Sequence, residues 1–303
     1  MRRLQCAGLL AWTALSACAS GGGGGSPMPA PPPPTNSNLT SLQYSQQFAN
    51  ASSGLTTNLD KVTRITSGTS AHAPSLNALT IAYDATTKGY TVSFGGTSAA
   101  FTSANVLASG TNAVATTYET KSGSLQNDLV LFNPGSGNTT LALTYSSYGA
   151  WQRLTDNGGS LGIVQDFFVF GIPTLASDLP KTGTASYQSI IDGFWVTSND
   201  VRALAGTGTL TADFLAGTTS VTLNLRGVSS LTGLAYTLDN FTGTGPIDGP
   251  NVTFSGTLSP TTSAYSGTYT GRFFGPAATE AGAVFNLHDG VGGVVDGVII
   301  GHK

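Results

Sequence analysis

Residues 271–285 read Gly-Arg-Phe-Phe-Gly-Pro-Ala-Ala-Thr-Glu-Ala-Gly-Ala-Val-Phe. Successive side chains of a strand point to opposite faces, so Phe273 and Phe274 are expected on opposite sides of one strand. A Gly-Pro pair follows them, and these residue types predict that the chain turns there. Glu280 comes next, in a segment with almost no other charge. Because no second acid or histidine stands beside it, we predict that its carboxylate accepts backbone N–H bonds at the turn and has no catalytic role.

On both sides of this stretch, short apolar runs alternate with Gly, Asn, Asp and Pro, a pattern typical of antiparallel strands joined by tight turns. The C-terminal part gives eight strand-like segments: 185–196, 206–214, 220–226, 235–241, 251–258, 265–274, 282–287 and 293–301. Eight short antiparallel strands can close into a barrel whose interior is filled by side chains, and closure leaves no exposed edge. We therefore predict an eight-stranded antiparallel β-barrel over residues 181–303.

The preceding part, residues 39–180, shows the same pattern less regularly. Its predicted strands are 62–67, 76–83, 89–94, 128–132, 139–145 and 162–170, and a short helix is predicted near 42–48 or 103–107. Two prolines and two glycines between residues 170 and 184 predict a domain boundary. The predicted fold class is all-β, with a β-rich domain before the barrel.

The composition excludes other classes of protein. Of the 303 residues 9% are charged, with 12 basic against 15 acidic residues and a formal net charge of −3. Nucleic-acid binding needs clustered Lys and Arg to neutralise phosphates, and after two N-terminal arginines the sequence has no basic run. A nucleic-acid partner is therefore not expected. With 40% hydrophobic residues the chain can bury a sizeable core, so it is not a disordered protein.

The N-terminus reads as an export signal. Two arginines precede an apolar run at 7–15 that is too short to span a membrane, which is typical of a secretory signal peptide. Leu-Ser-Ala-Cys at 15–18 resembles the bacterial lipobox, in which the peptide is cut before the cysteine and that cysteine is acylated. We predict a lipoprotein signal peptide at 1–17 and a lipid anchor, palmitate or a related acyl chain, on Cys18. The alternative is an ordinary signal peptide with a coincidental cysteine.

Residues 18–38 predict a tether between that anchor and the body. Five consecutive glycines at 21–25 and four prolines at 31–34 cannot pack a core. The only other cysteine lies in the signal peptide, so the body keeps no thiol for a disulfide, a metal or nucleophilic catalysis. Ala19 is not an acidic inner-membrane retention signal, which favours the outer membrane; the sequence leaves open which leaflet the body faces.

With these features, segment 271–285 resembles the signature hairpin of the transferrin-binding protein B family of surface lipoproteins, Gly-x-Phe-Phe-Gly-Pro-x-Ala-x-Glu-x-Gly-Gly-x-Phe. Ala283 departs from this pattern, because the family has a second Gly there. The matching residues, to which we assign a structural role, are Gly271, Phe273, Phe274, Gly275, Pro276, Ala278, Glu280, Gly282 and Phe285. Further features that fit the family lie at 183–187, 212–214 and 300–303, and the resemblance is weaker in the preceding half, where its best match is 145–151.

In that family each lobe pairs an N-terminal handle domain with an eight-stranded barrel, so the resemblance implies one lobe here, with the handle over residues 39–180. It implies a non-enzymatic binding module that captures a host protein or an iron or haem carrier, near a membrane receptor or transporter. Transferrin itself does not follow, because the transferrin receptors have two lobes. The alternative is a structural or adhesive envelope protein without a transported ligand. The ligand-binding residues stay unassigned.

The remaining chemistry-bearing residues do not form a motif. His72, His288 and His302 are the only histidines and lack metal-ligand spacing, so no metal, cofactor or catalytic site is predicted. Tyr148 and Trp151 lie near a polar loop, and the sequence leaves them undecided between the core and a binding surface. Further bulky aromatic residues, Phe194, Phe214, Phe273, Phe274 and Phe285, are expected in the core.

Overall fold

The structure, a computed structural model, describes residues 34–303, which form one compact unit. The predicted signal peptide, Cys18 and the tether up to residue 33 lie outside the described residues. This unit is built from strands and three short 3₁₀ turns, so the predicted all-β class is confirmed.

The first ten strands are β1 (Gln46–Gln47), β2 (Ala49–Asp60), β3 (Thr66–Leu76), β4 (Thr80–Asp84), β5 (Gly89–Phe94), β6 (Thr97–Phe101), β7 (Ala115–Ser122), β8 (Leu125–Phe132), β9 (Ser146–Asp156) and β10 (Ser160–Gly171). The other eight are β11 (Thr184–Thr197), β12 (Asp200–Asp213), β13 (Thr218–Ser229), β14 (Ala235–Asp248), β15 (Thr253–Pro260), β16 (Ser266–Phe274), β17 (Glu280–His288) and β18 (Val294–His302). The 3₁₀ turns are Ser103–Asn105, Ala108–Gly110 and Pro276–Ala278.

Strands β11–β18 close into a barrel, because β18 pairs with β11 as well as with β17. The predicted eight-stranded antiparallel barrel is therefore confirmed. Strands β1–β10, for which we keep the name handle, form two antiparallel sheets. One has the order β1-β4-β5-β6 and the other the order β3-β2-β10-β9-β8-β7.

The six-stranded handle sheet lies between the four-stranded sheet and the barrel wall. Along β10 the side chains alternate between these two neighbours. Phe168 and Phe170 pack into the cluster shared by the two handle sheets, whereas Phe167 and Val169 pack with residues of the barrel wall. The handle and the barrel therefore share a core.

Strands β17 and β18 of the barrel are buried on both faces. Ala281, Phe285 and Ile299 point into the barrel, while Val284 and Ile300 pack against the handle. A strand that is covered on both sides needs apolar residues at consecutive positions. This explains the continuous apolar runs near the C-terminus.

Two predicted handle strands are wrong. Residues 62–67 mostly form the turn after β2, where the carboxylate of Asp60 accepts two backbone N–H bonds. Residues 139–145 form a loop that Asn138 holds through four side-chain hydrogen bonds to backbone groups. Asp and Asn compete for backbone groups in this way, and that competition overrides the apolar alternation.

The helix predicted near 42–48 is also wrong, because this segment is extended and contains β1. At 103–107 a short helical turn is present, the 3₁₀ turn Ser103–Asn105. The predicted strands 76–83 and 89–94 overlap β4 and β5, which pair antiparallel across a tight turn. In the described part of the chain, no helix has the length and apolar character needed to cross a membrane.

Candidate functional site

The segment that resembles the family hairpin lies where the barrel meets the handle. Phe273 points into the barrel core and Phe274 packs into the cluster shared with the handle, as the strand alternation predicts. Both rings are fully buried. Phe285 lies in the barrel core as well. The segment therefore belongs to the structural joint between the two halves.

A turn with unusual backbone geometry follows Phe274. Gly275 has φ 70° and ψ 176°, a region that L side chains rarely adopt. A Cβ at this position would overlap the ring of Tyr145 from the handle. Pro276 then begins the 3₁₀ turn that ends at Ala278, whose carbonyl accepts a bond from the Tyr187 hydroxyl at 3.0 Å.

Glu280 is the polar centre of this joint. Its carboxylate is buried and accepts the backbone N–H groups of Thr144 at 2.6 Å, Tyr145 at 3.0 Å and Ser146 at 2.7 Å. The Ser146 hydroxyl donates a fourth bond at 2.7 Å. The predicted capture of backbone N–H groups is present, but the donors belong to the handle and not to the turn next to Glu280. This long-range pairing has no signal in the sequence.

The two remaining glycines of the segment make room for neighbours. A Cβ at Gly271 would overlap the ring of Phe254 inside the barrel. A Cβ at Gly282 would lie 3.1 Å from Ile300 and 3.2 Å from Val169 of the handle. Ala283, which replaces the second family Gly, is fully buried in the barrel core.

A second buried carboxylate, Asp296, lies on the barrel wall under the handle. Its Oδ1 accepts a bond from Nδ2 of Asn286 at 3.2 Å, while its Oδ2 has no hydrogen-bond partner. Burial raises the pKa of Asp296 to about 7, although the Asn286 amide and the nearby Ser53 hydroxyl act in the opposite direction. The joint therefore contains a group that titrates near neutral pH.

The barrel strands run between two ends that differ in character. The turns at one end, which we call the distal end, are 198–199, 230–234, 261–265 and 289–293. The turns at the other, the proximal end, are 214–217, 249–252 and 275–279. Since Glu280 follows the last of these turns, the part of the joint around Glu280 lies at the proximal end, whereas Asp296 lies nearer the distal end.

The distal end carries exposed apolar side chains from both halves of the molecule. Val62 and Ile65 come from the β2–β3 turn of the handle, Leu231 and Leu234 from the β13–β14 turn, and Val291 from the β17–β18 turn. Val62 and Val291 are each 88% exposed. We call these five residues the distal face.

Backbone contacts link two of these turns to the β11–β12 hairpin. Thr66, which follows the β2–β3 turn, donates its N–H to the Ser198 carbonyl at 3.1 Å. Ser230 donates its N–H to the Val201 carbonyl at 3.0 Å. The handle turn and the β13–β14 turn therefore both rest on the β11–β12 turn.

The β13–β14 turn is held rigidly. The Ser229 hydroxyl accepts the N–H groups of Leu231 and Thr232 at 3.1 Å each and donates to Asp200 at 3.0 Å. The other oxygen of Asp200 accepts Nε of Arg202 at 2.9 Å. Apolar residues on a fixed turn lose little conformational entropy on binding.

Arg202 closes the distal mouth of the barrel. Its guanidinium lies 4.2 Å from the centre of the Trp195 ring and 4.1 Å from that of Tyr236. Trp195 is the direct cross-strand partner of Arg202, and its Nε1 donates to the Tyr265 hydroxyl at 2.9 Å. Gly227 leaves space for this stack, because a Cβ there would lie 2.8 Å from the Trp195 ring.

Asp239 fixes the neighbouring turn, 261–265. Its carboxylate accepts the N–H groups of Thr262 at 2.8 Å and Ser263 at 2.6 Å. Burial acts to raise the pKa of Asp239, but backbone bonds from Ser263, Thr262 and Asn240 hold it at about 2. The carboxylate is thus charged at neutral pH.

The aromatic side chains considered as surface anchors are largely internal. Tyr148 and Trp151 are buried, so both belong to the core. The Tyr148 hydroxyl donates to Asp192 of β11 at 3.0 Å, which adds a bond between the halves. Phe214 is buried as expected, whereas Phe194 is half-buried between the handle and the barrel.

The histidines lie apart from one another. His72 stacks on Phe94, and its Nε2 lies 3.2 Å from the buried Asp166 carboxylate. His288 is exposed and His302 half-buried. Among residues 34–303, no cluster of three or more His, Cys, Asp or Glu side chains is arranged to hold a metal ion.

No protein-family model and no curated protein matches the chain. Its fold resembles transferrin binding protein B. A double mutant of that protein from Haemophilus parasuis has a TM-score of 0.48 and 17% identity over 84% of this chain and 44% of its own. The protein from serogroup B Neisseria meningitidis gives 0.45 and 16%, over 84% and 43%. The intact two-lobed Ap-TbpB gives 0.48 and 15%, over 84% and 46%. The chain thus spans less than half of each.

Proposed function

We propose that the protein is an outer-membrane lipoprotein, anchored through Cys18, that acts as a non-enzymatic module and captures a partner protein on its distal face. The observation that carries this proposal is the presence, at one barrel end, of exposed apolar side chains from three turns of two structural halves. The partner class is a host protein, in particular an iron or haem carrier, as the resemblance of segment 271–285 implies.

The physics of the distal face supports binding of a protein surface. Binding energy in protein interfaces is concentrated in a few well-fixed apolar and aromatic groups surrounded by polar residues. Leu231 and Leu234 stand on a turn that Ser229 fixes, beside the stacked Arg202 and the partly exposed Tyr236. A preorganised surface of this kind keeps more of its contact energy for affinity.

Anchoring supports the same role. An acylated Cys18 would hold the body on a membrane without a spanning segment. Fifteen residues separate Cys18 from Pro34, so the body would search a shell with a radius of at most about 50 Å. Confinement of this kind raises the effective concentration of a captured partner near a receptor or transporter in the same membrane.

A capture experiment tests the binding role. Residues 34–303 are immobilised and offered purified transferrin, haemoglobin and a detergent extract of the cell envelope. We expect capture of a defined carrier protein. Leu231→Ser with Leu234→Ser should weaken that capture at least tenfold, since each lost anchor costs about 1 kcal/mol or more. Leu215→Ser, an exposed leucine at the proximal end, is the matched control and should not change it.

Two results would count against this role. Retention of envelope proteins alone favours the structural or adhesive alternative. Equal capture by the distal double variant and by Leu215→Ser contradicts the distal face as the binding surface.

The anchor is tested separately by fractionation of cells. Cys18→Ser should move the protein from the membrane to the soluble fraction, and an unchanged distribution contradicts lipidation. Proteolysis of intact cells then distinguishes the two leaflets, because a body facing the periplasm is protected and cannot meet a host protein.

A further inference from the structure

The described chain enters the body at the proximal end. Leu39 donates its backbone N–H to the Thr144 carbonyl at 2.8 Å, and the N–H of Thr144 is bound by Glu280 at the start of β17. Strand β2 then runs away from this end: Asn50 accepts a bond from Arg272 near the joint, and Leu55 packs with Val294 near the distal end. The described chain therefore begins close to the proximal end.

The proximal end has its own exposed apolar residues. Leu215, in the β12–β13 turn, is 76% exposed, and Leu175, in the segment between the halves, is 70% exposed. Between these two elements opens an apolar groove of about 450 Å³. Its lining is Ala176, Leu179, Pro180, Lys181, Phe214, Gly217, Ile247, Gly249 and Pro250. Exposing the apolar surface on both sides of a groove to water costs free energy.

The charges at this end are mostly occupied within the body. Asp213 accepts the N–H groups of Leu215 and Ala216, and Asp178 accepts that of Ala277. Nζ of Lys303 donates to the Ala277 carbonyl at 2.6 Å. Carboxylates and ammonium groups are therefore mixed around the leucines, and no one sign dominates. This pattern fits a surface that enters a bilayer interface through apolar contacts rather than through charged headgroups.

We propose that the proximal end rests on the lipid bilayer, with Leu175 and Leu215 inserted in the interfacial region. This inference rests on the proposed anchoring at Cys18. Two leucines give a weak contact on their own, but a tether that delivers this end to the membrane supplies a high effective concentration. The barrel axis then stands on the membrane, and the distal face points away from it, towards a partner.

Quenching of tryptophan fluorescence by brominated lipids tests the orientation. The chain from Cys18 to Lys303 is coupled through the Cys18 thiol to a maleimide phospholipid in vesicles of phosphatidylcholine that contain brominated chains, so that the result does not depend on lipidation in cells. Leu215→Trp carries a reporter at the proximal end, and Leu234→Trp is the matched reporter at the distal end. We expect quenching and a blue shift of the added emission in Leu215→Trp and no change in Leu234→Trp.

A second pair guards against a misfolded reporter. Leu175→Trp should be quenched, and adding Leu215→Asp to it should abolish the quenching, because a charge in the patch opposes insertion. Vesicles that contain phosphatidylglycerol should give the same result as neutral vesicles.

Equal, unquenched emission from both ends overturns the inference and leaves the proposed anchor and partner capture intact. Quenching of Leu215→Trp together with membrane release of Cys18→Ser in cells supports both proposals. Quenching in vesicles with an unchanged Cys18→Ser distribution supports the docking surface and contradicts the anchor.

Discussion

The carboxylate of Glu280, on the first residue of β17, lies 2.7 Å from both the backbone nitrogen and the hydroxyl oxygen of Ser146, on the first residue of β9. These residues are 134 positions apart in the chain and belong to different halves of the molecule. Three backbone N–H groups and one hydroxyl are satisfied by this single side chain. Glu280 therefore joins the handle to the barrel through a buried polar cluster inside an apolar interface.

Removing the Glu280 side chain should destabilise the whole body. Glu280→Ala leaves the N–H groups of Thr144, Tyr145 and Ser146 without an acceptor in a buried site, and we expect a loss of about 3–5 kcal/mol in the free energy of unfolding. Glu280→Gln keeps the shape but turns a donor towards those donors, so it should also lose about 2–3 kcal/mol. Urea unfolding followed by circular dichroism measures both.

The matched control is Glu119→Gln, on the edge strand β7. Glu119 pairs with Lys121 at 2.9 Å at a partly exposed position, and such pairs contribute little, so the change should stay within about 0.5 kcal/mol. A loss below about 1 kcal/mol in Glu280→Ala would show that water or rearranged backbone replaces the carboxylate as the acceptor of these N–H groups.

The barrel was predictable from the sequence because its strands are regular and consecutive. All eight predicted segments, from 185–196 to 293–301, overlap strands of the barrel. Each strand pairs with its sequence neighbour, so the alternation of apolar residues and the turn residues are sufficient to predict the barrel. The handle is different, since β2 pairs with its neighbour β3 on one side and with the distant strand β10 on the other. A pairing between distant strands leaves no local pattern in the sequence.

The joint and the distal face could not be predicted for a related reason. A lone glutamate at position 280 suggests that its carboxylate accepts backbone N–H groups. The identity of those N–H groups depends on how the two halves pack, and the local sequence does not contain this information. The distal face combines Val62 with Leu234, more than half the chain apart. Trp195 and Arg202 are nearer, and a tight hairpin between them could have suggested their stacking.

Gly275 should tolerate no side chain. Gly275→Ala forces a Cβ into the Tyr145 ring at φ 70°, so we expect a loss of about 2–4 kcal/mol in the free energy of unfolding. Gly217→Ala is the matched control: its φ is 67°, but no atom lies within 4 Å of the added Cβ. This variant should lose about 1 kcal/mol in the free energy of unfolding, the cost of placing an L side chain at a positive φ. Equal losses in the two variants would contradict packing of Tyr145 on Gly275.

Asp296 should make stability depend on pH near neutrality. Its pKa is raised by burial to about 7 in the folded protein, while an unfolded Asp titrates near 4. Between these values the folded state holds a proton that the unfolded state has lost, so stability falls as the pH rises from about 4 to about 7 and is flat above.

Asp296→Asn removes this titration. The amide still accepts from Asn286 and places an NH₂ where Oδ2 has no partner. Relative to the wild-type protein it should therefore gain about 2–4 kcal/mol between pH 4 and pH 8. Thermal unfolding at both pH values measures this difference, and the same difference at the two values would contradict a buried charge at Asp296.

The Arg202 stack should be sensitive to the shape of the cation and not only to its charge. Arg202→Lys keeps the charge but loses the flat guanidinium between Trp195 and Tyr236, so we expect a loss of about 1–2 kcal/mol in unfolding free energy and a weaker near-ultraviolet dichroism signal from Trp195. Arg226→Lys, exposed on the outer barrel wall, is the matched control and should change neither.

Because the stack stands beside Leu231 and Leu234, Arg202→Lys should also weaken partner capture, whereas Arg226→Lys should not. Full capture by Arg202→Lys, with the dichroism signal lost, would show that the stack stabilises the barrel mouth without shaping the distal face.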